Sequence, residues 1–333
     1  MTTLLTLCLS LVSQASHVEV VVGSKDGNSP LKRPFGVDFT SKGDMIIVEL
    51  EGGRVHRFRD GKLSLFSGDG SRSYKGDGGP AKDATYNGMH NVAVTPNDDI
   101  YIADSWNHCI RKIYAKTGVV STIAGTGRPG FGGDGGPATK AKFDYIMCIT
   151  LNPSNDKLFV ADLKNRRIRV VDLKTGIVTT VAGNGKRGKP RDGADALKSP
   201  LVDPRAVTVD SKNRVYILER GGHALRVVED GKIRTVAGTG KGGFRDGPAL
   251  KAQFRSPKHL CVDGQDRVII ADDVNRRIRL FDPTTKKVTT LLGEGAGDAK
   301  IRLSHPHGVC IEGGMLYIVD TSHHRILRMK HLP

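Results

Sequence analysis

A short run of β-branched and aliphatic residues that ends in a carboxylate recurs along the chain, and this repetition constrains the fold more than any other feature. The runs are spaced about 50 to 60 residues apart. They end at Glu49, Asp104, Asp162, Glu219, Asp272 and Asp320. Self-similarity at such a period is typical of repeat architectures in which every unit is one supersecondary structure. The chain is therefore expected to contain six copies of one small unit.

Each unit has the same internal order of short strands and turns. In the fourth unit, an alternating run at 204–209 and a turn at 210–213 precede the run at 215–218. The third unit shows the remaining two runs, Arg-Ile-Arg at 167–169 and Val-Thr-Thr-Val at 178–181. Four short strands separated by Gly, Asn and Asp turns predict one antiparallel sheet. Six such sheets arranged radially predict an all-β, six-bladed β-propeller.

The sixth unit lacks its last strand, and residues 17–22 supply a matching sequence at the other end of the chain. We therefore predict that the N-terminal strand completes the last blade and removes an open sheet edge. A closed propeller of this kind is expected to be a monomer. The propeller is predicted to cover residues 17–330. Its blades are predicted at approximately 31–67, 86–124, 143–182, 201–237, 254–292, and 303–330 together with 17–22.

Residues 1–15 have features of a secretory signal peptide. An apolar stretch from Leu4 to Val12 precedes Ser13 and Ala15, which are small residues at the positions that a signal peptidase requires. No Lys or Arg precedes the apolar stretch, so an ordinary N-terminal strand or a mis-assigned start codon is the alternative. We predict a signal peptide at 1–15 and a secreted or periplasmic protein.

The sequence at 122–138, which contains Thr-Ile-Ala-Gly-Thr-Gly and Gly-Asp-Gly-Gly-Pro-Ala, resembles the NHL-repeat family. The Ala-Asp-x-x-Asn-x-x-Ile-Arg segments at 161–169 and 271–279 resemble it as well. The resemblance extends over the whole chain after residue 17 and implies a six-bladed propeller. It implies no single function, because members of the family include RNA-binding modules, protein-interaction modules and enzymes.

Asp, Asn and Arg recur together after the repeated strand, at 104/107/111, 162/165/169 and 272/275/279. A catalytic residue is needed once, so this repetition indicates a structural role, in which the Asp binds its own turn and pairs with the Arg. The net charge is +16, from 51 Lys and Arg against 35 Asp and Glu. Part of this charge therefore belongs to the scaffold, and the remainder favours anionic partners.

Glycine-rich connections at 68–80, 125–137 and two later sites account for many of the 41 glycines. No crossover helix follows them, so they are predicted to be turns rather than phosphate-binding loops. Their spacing differs from that of the twelve-residue calcium loop. A weak calcium site at Asp77 or Asp134 is the alternative to a plain turn.

Function in a repeat protein is expected where equivalent positions differ. At the start of the first strand, the six units carry Phe35, His90, Met147, Arg205, Lys258 and His307. The next position carries Gly36, Asn91, Cys148, Ala206, His259 and Gly308. The first strand of a blade lines the propeller axis, so these side chains are expected to surround one mouth of the channel, a default place for a ligand. The predicted ligand-binding residues are His90, Asn91, Met147, Arg205, Lys258, His259 and His307.

Two functional interpretations of this mouth are open, and a plain lining of the tunnel is the third possibility. In the first, Arg205 and Lys258 bind an anionic small molecule, a glycan or an acidic protein segment. In the second, His90 and His307 hold a divalent metal (zinc or calcium), and His259 or water completes the coordination sphere. The Pro-His-Gly sequence at His307 resembles the entry motif of peptidylglycine amidating lyase, which uses His from alternate blades. Arg205 occupies the third alternate position.

The leading prediction is an exported binding module for an anionic partner at the channel mouth. A metal-dependent lyase or lactone-type hydrolase using the mouth histidines is the alternative, although the sequence assigns no catalytic residue. An RNA-binding propeller is the second alternative if residues 1–16 are not a signal. Aromatic residues make up only 5% of the chain. Few rings are therefore available to stack on bases, and nucleic acid is the less favoured partner.

Overall fold

The computed structural model of the protein describes residues 17–24, 29–330 and 332. Six antiparallel sheets surround a central axis in the described residues. Five are built from strands that follow one another along the chain, and the sixth combines the first strand with the last three. This arrangement confirms the predicted all-β, six-bladed propeller. The predicted signal peptide at 1–15 lies outside the described residues.

The strands of the first three blades run from the axis outward in chain order. They are β2 (Pro34–Phe39), β3 (Met45–Glu49), β4 (Val55–Arg59) and β5 (Lys62–Ser67); β6 (Met89–Val94), β7 (Ile100–Asp104), β8 (Cys109–Ile113) and β9 (Val120–Ala124); and β10 (Ile146–Leu151), β11 (Lys157–Asp162), β12 (Arg167–Asp172) and β13 (Val178–Ala182).

The last three blades repeat this order. Their strands are β15 (Pro204–Val209), β16 (Val215–Glu219), β17 (Ala224–Glu229) and β18 (Lys232–Ala237); β20 (His259–Val262), β21 (Val268–Asp272), β22 (Arg277–Asp282) and β23 (Lys287–Leu292); and β24 (Pro306–Glu312), β25 (Met315–Asp320), β26 (Arg325–Met329) and β1 (Val18–Val22). Two-residue strands, β14 (Ala194–Asp195) and β19 (Gly247–Pro248), extend the outer edges of blades 4 and 5. Short 3₁₀ turns lie at Ala81–Asp83, Ser105–Asn107, Ala138–Lys140, Ala249–Lys251 and Thr321–His323.

The last blade is closed by the N-terminal strand, as predicted. Strand β1 pairs antiparallel with β26, with Val18 opposite Met329 and Val20 opposite Leu327. An ion pair between Glu19 and Arg328 adds to the ladder. The two ends of the propeller therefore form one sheet.

The hydrophobic core lies between neighbouring blades. Its largest cluster joins blades 3, 4 and 5 and includes Ile168, Tyr216 and Phe254. The second strand of a blade is covered on both faces, and all five residues of β16 are buried. A strand with both faces covered has a continuous apolar run rather than an alternating one. This packing explains the apolar runs that revealed the repeat.

The recurring arginines are structural. The side chains of Arg111, Arg169, Arg226 and Arg279 are at most 1% exposed. In blade 5, Arg279 pairs with Asp272 at 2.7 Å and with Asp246, from the preceding glycine-rich connection, at 2.6 Å. The equivalent carboxylates Asp77 and Asp134 pair with their own arginines at 2.8 and 2.6 Å. Each connection is thus tied to the blade that follows it.

Candidate functional site at the axial mouth

The side chains at one mouth of the axis are presented by β-bulges. In blade 1, Pro34 lies opposite Glu49 and Gly36 lies opposite Val48, so Phe35 is an extra residue in the innermost strand. A bulge of this kind re-aims a side chain. The same register shift occurs at His90, Met147, Arg205 and His307. In blade 5, Lys258 occupies the equivalent position directly before β20.

The repeated carboxylates hold the chain just before these bulges. Asp104 accepts a hydrogen bond from the backbone N–H of Asn87 at 2.7 Å, three residues before His90. Glu219 accepts from the Val202 N–H at 2.6 Å in the same way, three residues before Arg205. The recurring acidic residues therefore position the mouth without entering it.

The six predicted mouth positions are brought together. The ring of Phe35 stacks on His307 with centroids 4.2 Å apart and meets His90 edge-on at 5.0 Å. On the other side, Arg205 Nη1 donates a hydrogen bond to the carbonyl of Met147 at 3.0 Å. Lys258 completes the ring between Arg205 and His307. We call these six residues the mouth ring: Phe35, His90, Met147, Arg205, Lys258 and His307.

Both histidines of the mouth ring are neutral, with a free nitrogen. Nδ1 of His90 lies 2.7 Å from the Gly88 carbonyl, and Nδ1 of His307 lies 2.9 Å from the His305 carbonyl. A carbonyl oxygen can only accept, so Nδ1 carries the proton and Nε2 keeps its lone pair. Burial, together with the nearby Arg205 and Lys258 charges, lowers the pKa of both imidazoles well below the usual range.

Arg205 is buried without a carboxylate partner. Its side chain is 4% exposed, and the bond to Met147 is its one hydrogen bond within the described residues. Burial, with a further contribution from Arg220, lowers its pKa to about 10. The ion pair of Lys258 is a long one, because its Nζ lies 3.5 Å from Asp273. With a pKa of about 10, Arg205 stays cationic at neutral pH, so this half of the mouth carries a buried positive charge that has no carboxylate paired with it in the described residues.

Asn91 and His259 lie next to the mouth ring rather than in it, and their predicted role in ligand binding stays a prediction. The Asn91 amide nitrogen donates to Nε2 of His259 at 3.1 Å, and these residues come from blades 2 and 5, on opposite sides of the axis. The Asn91 carbonyl oxygen accepts from the Ile149 N–H at 2.9 Å, which fixes the amide. After a bulge the strand resumes normal pairing, so the next side chain points deeper. The Asn91–His259 pair therefore crosses the tunnel behind the mouth.

Blades 1 and 6 carry a glycine at the position that follows the bulge. A Cβ atom on Gly308 would lie 2.6 Å from the Phe35 carbonyl oxygen, and one on Gly36 would lie 2.8 Å from the Cα of Asn91. Neighbouring innermost strands approach each other closely at these two glycines. Only glycine permits such an approach.

Beyond the crossing pair, the tunnel continues as a cavity of about 310 Å³. Its lining includes Asp38, Asn91, Thr208, His259, Cys261 and Cys310. Asp38 accepts from the N–H groups of Val94 at 2.7 Å and Phe39 at 2.9 Å, and burial raises its pKa to about 6. The sequence analysis did not single out Asp38, although an acidic residue in an apolar innermost strand was the available signal.

The structure does not assemble a metal-binding cluster in the part of the chain that it describes. No group of three or more His, Cys, Asp or Glu residues there could hold a metal ion. His259 lies in the layer behind His90 and His307, and Asn91 and the Val309 N–H face its two ring nitrogens. A metal at His90 and His307 would thus depend on ligands other than His259, and this site stays a prediction. Among the described residues, no helix has the length and hydropathy to cross a membrane.

These features define the class of protein: a six-bladed repeat propeller with a ring of differing side chains at one axial mouth. Within that class, two segments of the chain match a known repeat family. The NHL repeat matches residues 89–113 and 303–329, which cover the first three strands of blade 2 and of blade 6.

The chain is similar to NHL repeat-containing protein 2 of Gallus gallus, with 26% identity over 90% of this chain and 46% of that protein. It therefore spans less than half the length of this relative. In overall fold it is similar to an auxiliary nutrient binding protein from Bacteroides ovatus, with a TM-score of 0.70, 13% identity, and coverage of 95% of this chain and 76% of that one. It is also similar to a gluconolactonase from Xanthomonas campestris, with a TM-score of 0.62, 10% identity, and coverage of 94% and 89%.

Proposed function

We propose that this propeller is a binding module that takes an anionic partner at the mouth ring. The single observation that carries the proposal is the state of Arg205, a guanidinium that is 4% exposed and has no carboxylate within ion-pair distance among the described residues. A buried charge is costly unless it is paired. A bound anion would supply the missing partner.

The surroundings of Arg205 support this assignment. Lys258 lies near Arg205 and forms a longer ion pair, 3.5 Å from Asp273, whereas the nearby charge of Arg220 is paired with Asp203 at 2.7 Å. Electrostatic attraction in a concave, partly desolvated site is strong because water screens it poorly. Binding proteins are among the solved propellers with this fold, which agrees with such a role.

Calorimetric titration of the intact chain with sodium acetate and inorganic phosphate at low ionic strength tests this function. We expect saturable binding that weakens by at least about tenfold in the Arg205→Met variant, because a buried charge partner is lost. Arg187→Met is the matched control, since it removes the same charge from an exposed connection. Equal binding by wild type and Arg205→Met would overturn the proposal.

A metal-dependent lyase or lactone-type hydrolase is the second candidate. It is favoured by the hydrogen bonds that Nδ1–H of His90 and of His307 donate to backbone carbonyls. Metal-binding histidines commonly donate the N–H of one ring nitrogen in this way while the other nitrogen binds the metal. Such an enzyme would use the two Nε2 atoms as ligands. Metal analysis of the purified chain should then give about one ion per chain, lost in His307→Ala. An ion content unaffected by His307→Ala would exclude this candidate.

We also propose that the protein is exported to the periplasm or the extracellular space, on the basis of the signal-like sequence at 1–15. N-terminal sequencing of protein from its native compartment should begin at Ser16. An intact Met1 would contradict export and would favour the RNA-binding alternative.

A further inference from the structure

The two halves of the mouth ring differ in chemistry. Blades 6, 1 and 2 contribute the rings of His307, Phe35 and His90. Blades 3, 4 and 5 contribute the flexible apolar side chain of Met147 and the cations Arg205 and Lys258. Because opposite blades face each other across a six-bladed axis, Phe35 lies across from Arg205. The mouth therefore has an aromatic side and a cationic side.

Trp106 extends the aromatic side to the surface. Its indole ring lies 6.4 Å from the His90 ring, and it is partly exposed. A Cβ atom on Gly88 would lie 2.2 Å from Trp106 Cδ2, so the indole packs directly on the Gly88 backbone. This packing holds a large flat ring at the rim of the mouth.

The neutral histidines need donors rather than acceptors. Nε2 of His90 and Nε2 of His307 each keep a lone pair, and neither atom has a hydrogen-bond partner among the described residues. A hydroxyl or amino group on a ligand would satisfy these acceptors. The cationic side, in contrast, calls for an anion.

We propose that the ligand of the mouth is an aromatic ring that bears an anionic group at one end and a hydroxyl or amino donor at the other, such as a hydroxyaryl carboxylate. The anion would face Arg205 and Lys258, and the ring and donor would face Phe35, the two histidines and Trp106. This inference rests on the proposed anion-binding function and names the chemical class of the ligand. The mouth-ring side chains are mostly buried, so the ligand is expected to lie over their tips.

Trp106 makes the proposal directly testable, because it is the only tryptophan in the chain. The experiment titrates the intact chain with 4-hydroxybenzoate while following tryptophan fluorescence and heat. We expect both signals to saturate at the same ligand concentration. A heat signal without a fluorescence change would place the ligand away from Trp106 and would overturn the proposal.

Three related compounds separate the parts of the ligand. Methyl 4-hydroxybenzoate, which lacks the charge, is expected to bind at least about tenfold more weakly. Benzoate, which lacks the donor, is expected to lose about three- to tenfold. Acetate, which lacks the ring, is expected to lose at least about tenfold.

The outcomes distinguish the aromatic ligand inferred here from the proposed anion-binding function. Acetate binding as tightly as 4-hydroxybenzoate would overturn the aromatic ligand and leave the anion-binding function intact. Methyl ester binding as tightly as the acid would overturn both. Arg205→Met should reduce the preference for acid over ester, whereas Arg187→Met should keep it in full. A cooperative thermal unfolding transition, near or above that of the wild type, shows that each variant is folded.

Discussion

Buried arginines occur in two regions of this molecule, and their surroundings are opposite. Between the blades, Arg111, Arg169, Arg226 and Arg279 are almost fully buried, and each has a carboxylate within 2.6 to 2.8 Å. At the axis, Arg205 is nearly as buried but donates only to the Met147 carbonyl.

The difference separates charges that serve the fold from a charge that is available to a partner. The paired arginines recur in register with the repeat, and each ties a connection or a strand end to its blade. Arg205 occurs at a position where the other five blades carry different residues. Burial alone does not distinguish the two regions. The presence or absence of a carboxylate does.

The largest expected effect comes from breaking a paired arginine. Arg279→Met would leave Asp272, which is completely buried, without its guanidinium. Removing one partner of a buried ion pair costs about 3 to 5 kcal/mol. Urea unfolding followed by circular dichroism measures this loss of unfolding free energy. Arg187→Met should change it by less than about 0.5 kcal/mol. Similar stabilities for the two variants would refute the structural role of the paired arginines.

The axis also differs from the inter-blade region in its histidines. His90, His259 and His307 have no carboxylate partner in the described residues. Burial and the Arg205 charge lower the pKa of His259 to about 4, below its ordinary value of 6.5. The unfolded chain therefore binds a proton more readily between pH 6.5 and pH 4, and stability falls on acidification through this range.

The contribution of His259 to this fall is on the order of 3 kcal/mol. Unfolding free energies of wild type and His259→Gln, measured from pH 7 to pH 4, should show a shallower slope in the variant. Identical slopes would mean that His259 is protonated as readily in the folded protein as in the unfolded chain.

The close approach of the innermost strands predicts an intermediate effect. The added methyl group of Gly308→Ala would lie 2.6 Å from the Phe35 carbonyl oxygen, so the bulge that presents Phe35 must move. Overpacking of this kind costs about 1 to 3 kcal/mol. In the control Gly264→Ala, the new Cβ meets nothing within 4 Å. Thermal and urea unfolding of the two variants should therefore differ, and equal stability would contradict the tight packing at the mouth.

The smallest stability effect is expected at Arg205 itself. Replacing a buried, unpaired charge with an apolar side chain of similar length is neutral or stabilising. Arg205→Met should thus change the unfolding free energy by less than about 1 kcal/mol, or raise it. A loss as large as that of Arg279→Met in urea unfolding would remove the contrast between the two regions.

The fold could be predicted from the sequence because each residue type that defines the repeat has the same structural role in every blade where it occurs. The acidic strand ends, the Asn of the following turn and the paired Arg each recur in register, so their alignment gave the blades and the closing strand. The same alignment located the mouth, because Phe35 and Arg205 stand at equivalent positions.

The position of each side chain along the propeller axis could not be predicted from the alignment of the repeats. Arg205 and Ala206 are consecutive in sequence, but the bulge at Arg205 is a property of strand pairing and leaves no mark in composition. The sequence analysis therefore placed Asn91 and His259 at the mouth. Asn91 and His259 are 168 residues apart in the sequence, and their contact joins blades 2 and 5. Such a contact exists only once the ring is closed.

The pairing of β1 with β26 makes the ring continuous in space, although the chain that builds it is linear. The starting point of the chain is thus one of several that the same architecture allows. If a short linker joined the two paired strands, new termini could be opened in a glycine-rich connection such as 183–193. The circularly permuted chain should build the same six blades in a different order of synthesis.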